Sequence, residues 1–212
     1  MTTYYKATRT DGTDFRTGRV YYEVGKTVKP LPTDETPRIC GPGMLHAADV
    51  PAETLLGGSW PCRLFEVTGD PVVGFDTEKH PHKAGFLELT VIREIDAHLA
   101  LGPNGRDVAA LIERAVRLTE DEKERLGAAR DAARGAAQKA ARAPARDAAY
   151  GAARSAARSS AWDAAWDAAR NVPYGAARSA ARDAALALLT RDLITPGQFD
   201  IIYGLWASVI EI

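Results

Sequence analysis

The sequence has little cysteine and no long apolar run. Its 212 residues include two cysteines, Cys40 and Cys62, too few for the disulfide framework of a small secreted protein. It contains no stretch of about 18 consecutive apolar residues, so no segment is predicted to span a membrane. The polar opening, residues 1–9, lacks the apolar core of a secretory signal. We therefore predict a cytoplasmic protein with free thiols and no membrane partner, with a Cys40–Cys62 disulfide as the alternative.

Motifs for phosphate loops and for metal sites are also missing. The sequence has neither a Walker loop nor a GxGxxG fingerprint. His80 and His82 have no third ligand nearby, which favours loop histidines. Cys40, His46 and Cys62 lack the close paired spacing of a zinc site. We expect no metal and no cofactor. Cys62 and His46 as a thiol nucleophile and its base stay open, although a small buried thiol is the more ordinary interpretation of Cys62.

The charge is unevenly distributed although the chain is nearly neutral. It has 27 basic and 28 acidic residues, a formal net charge of −1. Between Leu126 and Arg182, ten Lys and Arg stand against four Asp, which gives 10 − 4 = +6. Any basic surface that could attract a polyanion therefore belongs to the second half of the chain.

The chain changes character near residue 95. The first part has short segments rich in β-branched and aromatic residues, bounded by Gly, Pro and Asp, a pattern typical of strands. The predicted strands are 3–9, 19–28, 62–68 and 85–95. We predict an α+β protein with two domains: an antiparallel β-rich domain over 1–95 and an Ala/Arg-rich α-helical bundle over 96–212.

A four-residue repeat dominates the helical part. Twelve Ala-Ala pairs begin at positions that are multiples of four, from 128 to 184. Four residues advance about 400° around a helix, so the alanine stripe drifts by about 40° per repeat. Because interior proline breaks helices, Pro144 and Pro173 predict a division into helices near 120–142, 145–171 and 174–190. Thr119 with Glu122 predicts a capped start, and Thr195-Pro196 predicts the start of a last helix.

The fourth position of each tetrad is mostly arginine. Arginines contact phosphates and aromatic residues stack on bases, so four of them are candidate nucleic-acid contacts: Arg130, Arg134, Arg154 and Arg158. The favoured interpretation is a solvated arginine face that keeps an Ala-rich bundle soluble. Interspersed Asp131 and Asp167 weaken the field by pairing along the helix. Self-assembly into a homo-oligomer through the Ala-rich helices is a further alternative.

The first part resembles a domain of unknown function that is common in phage and prophage proteins. The matching segments are YYKATRTDGTDFRTG (4–18), YEVGKTV (22–28), CGPGMLHAADVPAETL (40–55) and RLFEVTGD (63–70). The Ala-rich second part, which ends in QFDIIYGLWASV, is similar to tails of actinobacterial and actinophage proteins of unknown role. This resemblance implies a phage-type context and no particular activity.

A second resemblance, over residues 45–95, is to small ADP-ribosyltransferase-like domains of the rifamycin-modifying type. Their opening strand carries a histidine that binds the nicotinamide nucleotide, and here Lys6 stands at that position. The resemblance therefore implies a related fold that binds a nucleotide or a host protein, without catalysis. A site is expected between the first strand and residues 45–56. The polar or stacking residues best placed for an anionic nucleotide are Lys6, Thr8, Arg9, His46, Trp60 and Arg63.

Overall fold

The computed structural model describes residues 2–35, 42–72, 81–133, 135–172 and 175–210. The chain forms two compact units, Met1–Ala100 and Leu101–Ile212. The first unit holds an antiparallel sheet and the second holds α-helices, which confirms the α+β class. Four residues discussed above lie outside the described ranges: Cys40, His80, Arg134 and Pro173.

Six short strands form one sheet in the first unit. They are β1 (Tyr4–Thr8), β2 (Thr27–Val28), β3 (Leu45–Ala48), β4 (Arg63–Thr68), β5 (Lys83–Phe86) and β6 (Leu89–Ile95). Their order across the sheet is β2-β6-β4-β1-β3-β5, and each of these neighbouring pairs is antiparallel.

The sheet is strongly curled. Only Leu87 and Glu88 connect β5 to β6, so the chain between these strands reaches at most about 11 Å. The two strands are four positions apart in the sheet, which would be about 19 Å in a flat sheet. The two ends of the sheet must therefore approach each other. The curl encloses an apolar core: Val20, Tyr22, Val28, Leu45, Ala47, Phe65, Val67, Ala84, Phe86, Leu89 and Val91.

Two predicted strands differ from the observed ones. The strand expected over 19–28 is limited to Thr27–Val28, because the chain turns at Gly25, whose φ is +81° and whose N–H donates to Val91 O at 2.8 Å. The strand expected over 85–95 is two strands, β5 and β6, which pair with different neighbours. A continuous apolar run does not reveal that its halves lie at different places in a sheet.

Helices make up the second unit. They are α1 (Gly105–Val116), α2 (Glu120–Ala132), α3 (Ala136–Ser155), α4 (Ser159–Ala168), α5 (Ala176–Leu189) and α6 (Pro196–Ala207). The start of α2 has the predicted capping box, in which Thr119 Oγ1 accepts from Glu122 N. The start of α6 at Pro196 is confirmed as well, with Thr195 and Gln198 forming a second capping box. Both starts were predictable from the sequence because their signals, Thr119 with Glu122 and Thr195 with Pro196, lie close together in the chain.

The prediction that Pro144 divides two helices is wrong. Pro144 lies inside α3, which begins at Ala136 and ends at Ser155, and α4 begins at Ser159. Interior proline costs about 3 kcal/mol, but α3 keeps a buried stripe on one side of it, Ala145, Ala149 and Ala153. The spacing of four places these methyl groups along one face, and their packing offsets the missing backbone hydrogen bond.

The helix α5 is the centre of the second unit. It packs against each of the other five helices, and Ala180, Ala181, Ala184 and Ala185 along it are almost completely buried. Alanine side chains allow close approach of helix axes, while larger anchors such as Trp206 fill the remaining space. No helix within the described ranges is both long and apolar enough to cross a membrane.

Candidate functional site

The first unit contains a cavity of about 520 Å³ beside β1 and β3. This volume lies within the range of about 300–1,000 Å³ that small-molecule sites occupy. Its ionisable lining residues are Lys6, Asp14, Arg16, His46, Glu53 and Lys83, and its apolar walls include Phe15, Val20, Leu31, Met44, Leu45 and Leu56. β1 and β3 are paired only at Tyr5 and Ala48, and the cavity draws lining residues from both of these strands.

Lys6 stands at an inward-facing position of β1. It is directly opposite Phe65 of β4, and directly opposed residues share one face of a sheet; Phe65 belongs to the apolar core. The Lys6 ammonium lies 5.4 Å from the centroid of the Tyr22 ring. Burial, with a contribution from nearby Lys83 and against the opposing effect of Asp14, lowers the pKa of Lys6 to about 8. A lysine in this position is costly for folding, which marks it as a functional candidate.

The Asp14 carboxylate organises the loop that carries Arg16. It accepts hydrogen bonds from Thr17 N at 2.6 Å, Thr17 Oγ1 at 2.6 Å and Val20 N at 3.0 Å. Burial acts to raise the pKa of Asp14, but these hydrogen bonds outweigh it and lower the pKa. Asp14 is therefore committed to the loop, and it places Phe15 and Arg16 against the cavity.

The low pKa of His46 reflects its burial and the positive charges around the cavity. Burial, then the positive charges of Lys83, Lys6 and Arg16, lower the pKa of His46 to about 3. The imidazole is consequently neutral at physiological pH and able to donate one hydrogen bond and accept another. A field that repels the second proton of His46 also favours an anion in the same place.

The Tyr22 hydroxyl is a buried polar group without a hydrogen-bond partner among the described residues. The side chain is 1% exposed and lines the cavity. Burial, and secondarily the Asp14 charge, raise the pKa of Tyr22 above its usual value, so the hydroxyl remains a donor. An orphaned buried hydroxyl costs about 1–3 kcal/mol, a cost that a bound acceptor would relieve.

The cavity as a whole suits a small molecule with an acidic group and an apolar body. Three cations, Lys6, Arg16 and Lys83, face two carboxylates, Asp14 and Glu53, a balance of 3 − 2 = +1. Its remaining walls are largely apolar, as is usual for sites that bind organic ligands with a few oriented polar groups.

Two of the six residues predicted for a nucleotide site, Lys6 and His46, line this cavity. The other four are placed elsewhere. Thr8 is buried, and its hydroxyl donates a hydrogen bond to Arg9 O. The Arg9 guanidinium donates a hydrogen bond to Phe15 O at 2.9 Å. The Trp60 ring centroid lies 5.4 Å from that of His98, and the Arg63 guanidinium makes a two-point pair with Glu94 at 2.9 and 2.7 Å.

Arg16, Tyr22 and Lys83 are among the lining residues that sequence reasoning missed. The position of Arg16 at the cavity depends on the loop that Asp14 organises. In the sequence, a carboxylate six residues before Val20 is only a weak signal for such a loop. Lys83 reaches the cavity because it lies opposite Ala48 in the β3–β5 pair, and no local pattern gives that pairing.

The thiol of Cys62 is not part of the cavity lining. It is a free, buried cysteine, and burial raises the pKa of its thiol to about 12. A thiol of that pKa is protonated at neutral pH and is a poor nucleophile. Within the described residues, no group of three or more His, Cys, Asp or Glu side chains is arranged to hold a metal ion.

The arginines predicted to face nucleic acid are not equivalent. Arg158 is buried, and its guanidinium makes two 2.7 Å contacts with the Asp192 carboxylate and one of 2.8 Å with Leu189 O. Arg154 is exposed, and Arg130 is partly buried beside a cavity of its own. Arg158 therefore has a structural role in the second unit, whereas Arg130 and Arg154 remain accessible.

Comparison with protein-family models, with curated proteins and with solved structures gave no match for this chain.

Proposed function

We propose that the first unit is a non-catalytic binding module for a small anionic ligand of the nucleotide class. The observation that supports this most directly is the convergence of Lys6, Arg16 and Lys83 on one cavity with apolar walls. Neutral His46 and the orphaned hydroxyl of Tyr22 add hydrogen-bonding groups for an acceptor-rich ligand. The resemblance to phage-associated domains adds a context to the proposal, that of a phage-type accessory protein.

Binding rather than catalysis is proposed because the cations of the cavity suit an anion, whereas the thiol nucleophile considered from the sequence is not activated. Cys62 is protonated and outside the lining. Lys6 takes the place of the histidine that the ADP-ribosyltransferase resemblance would require in the opening strand.

Isothermal titration calorimetry with NAD, ADP-ribose and cyclic nucleotides tests the proposal. Wild-type protein is expected to bind at least one of them, and ligand at 100 times Kd should stabilise the fold by about 2.7 kcal/mol. Lys6→Met should weaken that binding at least tenfold, because the ligand loses a charge-assisted hydrogen bond worth about 1.5–3 kcal/mol.

Lys29→Met is the matched control. Lys29 is an exposed lysine that approaches Glu88 at 3.7 Å and does not line the cavity, so its replacement should leave binding unchanged. Equal binding by wild type and Lys6→Met would contradict the proposal. So would a flat response to every nucleotide, which would move the role of this unit to binding a host protein.

A further inference from the structure

Four arginines converge in the second unit. Arg130 from α2, Arg142 and Arg146 from α3, and Arg182 from α5 line a single cavity of about 210 Å³. Among the described residues of that lining, Asp183 is the one with a carboxylate. The local charge is therefore 4 − 1 = +3, in a chain whose formal net charge is −1.

Asp183 positions two of these arginines without neutralising the group. Its side chain is 8% exposed and contacts Arg142 Nη2 at 3.2 Å and Arg146 Nε at 3.0 Å. A single carboxylate accepts these two guanidinium groups, so the described lining keeps an excess of positive charge. Like charges held together at a partly buried place raise the free energy of the folded protein unless an anion joins them.

Two guanidinium donors have no partner in the described part of the chain. Arg142 Nε is buried and makes no hydrogen bond. The Arg130 guanidinium makes no hydrogen bond or ion pair with a described residue, although its charge acts on Asp183. A buried charged donor without an acceptor is more unfavourable than a neutral one, and this second observation points to a missing ligand.

Arg182 is held in place by stacking. Its Cζ atom lies 3.7 Å from the centroid of the Trp166 ring, a cation–π contact that fixes the plane of the guanidinium. The cluster is thus preorganised from two sides, by Asp183 and by Trp166.

We propose that this cluster binds the phosphate group of a small phosphate ester. Planar guanidinium groups match phosphate oxygens in a two-point geometry, and a dianion suits a +3 site better than a single carboxylate does. A volume of about 210 Å³ accommodates a phosphate group.

A second cavity, of about 850 Å³, shares Arg130, Arg142 and Leu205 with the first. It is lined mainly by small and apolar side chains, such as Ala129, Ala133 and Ile201. That cavity accommodates the organic part of the ester. Asp200, the acidic residue in its lining, disfavours a second phosphate there.

The test compares inorganic phosphate, phenyl phosphate and phenol by calorimetry on the full chain. Wild type should bind phosphate, bind phenyl phosphate more tightly, and not bind phenol. Arg130→Gln should weaken both phosphate ligands by about tenfold or more. Because Arg130 makes no hydrogen bond to Asp183, this variant keeps the internal ion pairs. The control is Arg154→Gln, an equal change of charge at an exposed arginine outside both cavities, which should bind as wild type does.

The cavity of the first unit also favours anions, and Lys6→Met separates the two sites. Phosphate binding kept in Lys6→Met and lost in Arg130→Gln supports the arginine site. Binding lost only in Lys6→Met would overturn it, as would no phosphate binding by wild type. Equal affinity for phosphate and phenyl phosphate would overturn the ester assignment. A short DNA oligonucleotide that binds more tightly than phenyl phosphate, and loses that binding in Arg130→Gln, would overturn the small-molecule assignment.

Discussion

At the scale of the residue, Lys6 combines an inward position with a charged side chain. Its folded-state pKa of about 8 lies below the ordinary value of 10.5. Below pH 8 the ammonium is charged in both states and the folded protein bears the full cost of burying it. As the pH rises from 8 to 10.5, the folded protein loses the proton first, so this cost disappears. The buried charge that the proposed binding role requires of Lys6 thus lowers the stability of the folded protein.

Lys6→Met is therefore expected to stabilise the first unit at pH 7. A difference of 2.5 pKa units corresponds to about 3 kcal/mol, and Met retains the aliphatic contacts. Urea unfolding at pH 7 and at pH 10.5 provides the measurement: the variant should exceed wild type at pH 7, and the two should converge at pH 10.5. If Lys6→Met were more stable than wild type by the same amount at pH 7 and at pH 10.5, burial of the charge would not be the cause.

His46 should affect the stability of the protein in a different pH range. Its folded-state pKa of about 3 lies below the ordinary 6.5, so the unfolded chain binds a proton that the folded protein does not between these values. Stability should fall as the pH drops from 6.5 to 3. His46→Gln should lose less stability than wild type over that range, as followed by thermal unfolding at stepped pH. His82→Gln, at a histidine outside the cavity lining whose Nδ1 lies 2.9 Å from Asp49 Oδ1, is the control for removal of an imidazole as such.

At the scale of the element, the end of α3 shows a conflict between repeat and geometry. Ala157 has φ of +54°, Arg158 N donates to Ala153 O at 2.8 Å, and Ala157 N donates to Arg154 O at 3.2 Å. This is a Schellman ending, whose left-handed position favours glycine. Alanine stands there because the four-residue repeat places an Ala-Ala pair at 156 and 157.

Ala157→Gly should accordingly stabilise the second unit by about 1 kcal/mol, since a left-handed alanine costs about 1–2 kcal/mol and loss of its methyl contacts takes back a part. Thermal unfolding monitored by circular dichroism measures the change. Ala152→Gly, in the interior of the same helix, should instead destabilise by about 1 kcal/mol. Destabilisation by both substitutions to a similar extent would show that Ala157 is not strained.

At the scale of the whole molecule, each unit has its own core. The core of the first unit is formed by residues from 20 to 91, all within Met1–Ala100. We therefore expect a fragment of residues 1–100 to fold by itself. Dispersed amide signals in a nitrogen–proton NMR spectrum, together with cooperative unfolding, would be the evidence. A fragment with collapsed signals and no unfolding transition would mean that the first unit requires the second.

The features that could be predicted from the sequence depend on local interactions, and those that could not depend on distant ones. The helix starts at Thr119 and Thr195 were predictable because the signal for each lies within four residues. The split of residues 85–95 into β5 and β6, the tolerance of Pro144 inside α3, and the meeting of Lys6 with Lys83 depend on distant segments. Lys6 and His46 were identified from their residue type and a family resemblance, whereas Arg16 required a loop built around Asp14.

The drift of the alanine stripe has a consequence for changes in chain length. In α5, Ala-Ala pairs begin at 176, 180 and 184, so the small-residue surface turns through about 80° from the first pair to the last, which helps one helix to accept five neighbours. A duplication or deletion of one tetrad would leave the composition and the helix propensity unchanged. It would rotate every downstream side chain by about 40° relative to its partners. Each added tetrad would have to be absorbed where one helix ends and the next begins, as between Ser155 at the end of α3 and Ser159 at the start of α4. The short helices of the second unit thus provide the joints at which such a sequence could grow without losing its packing.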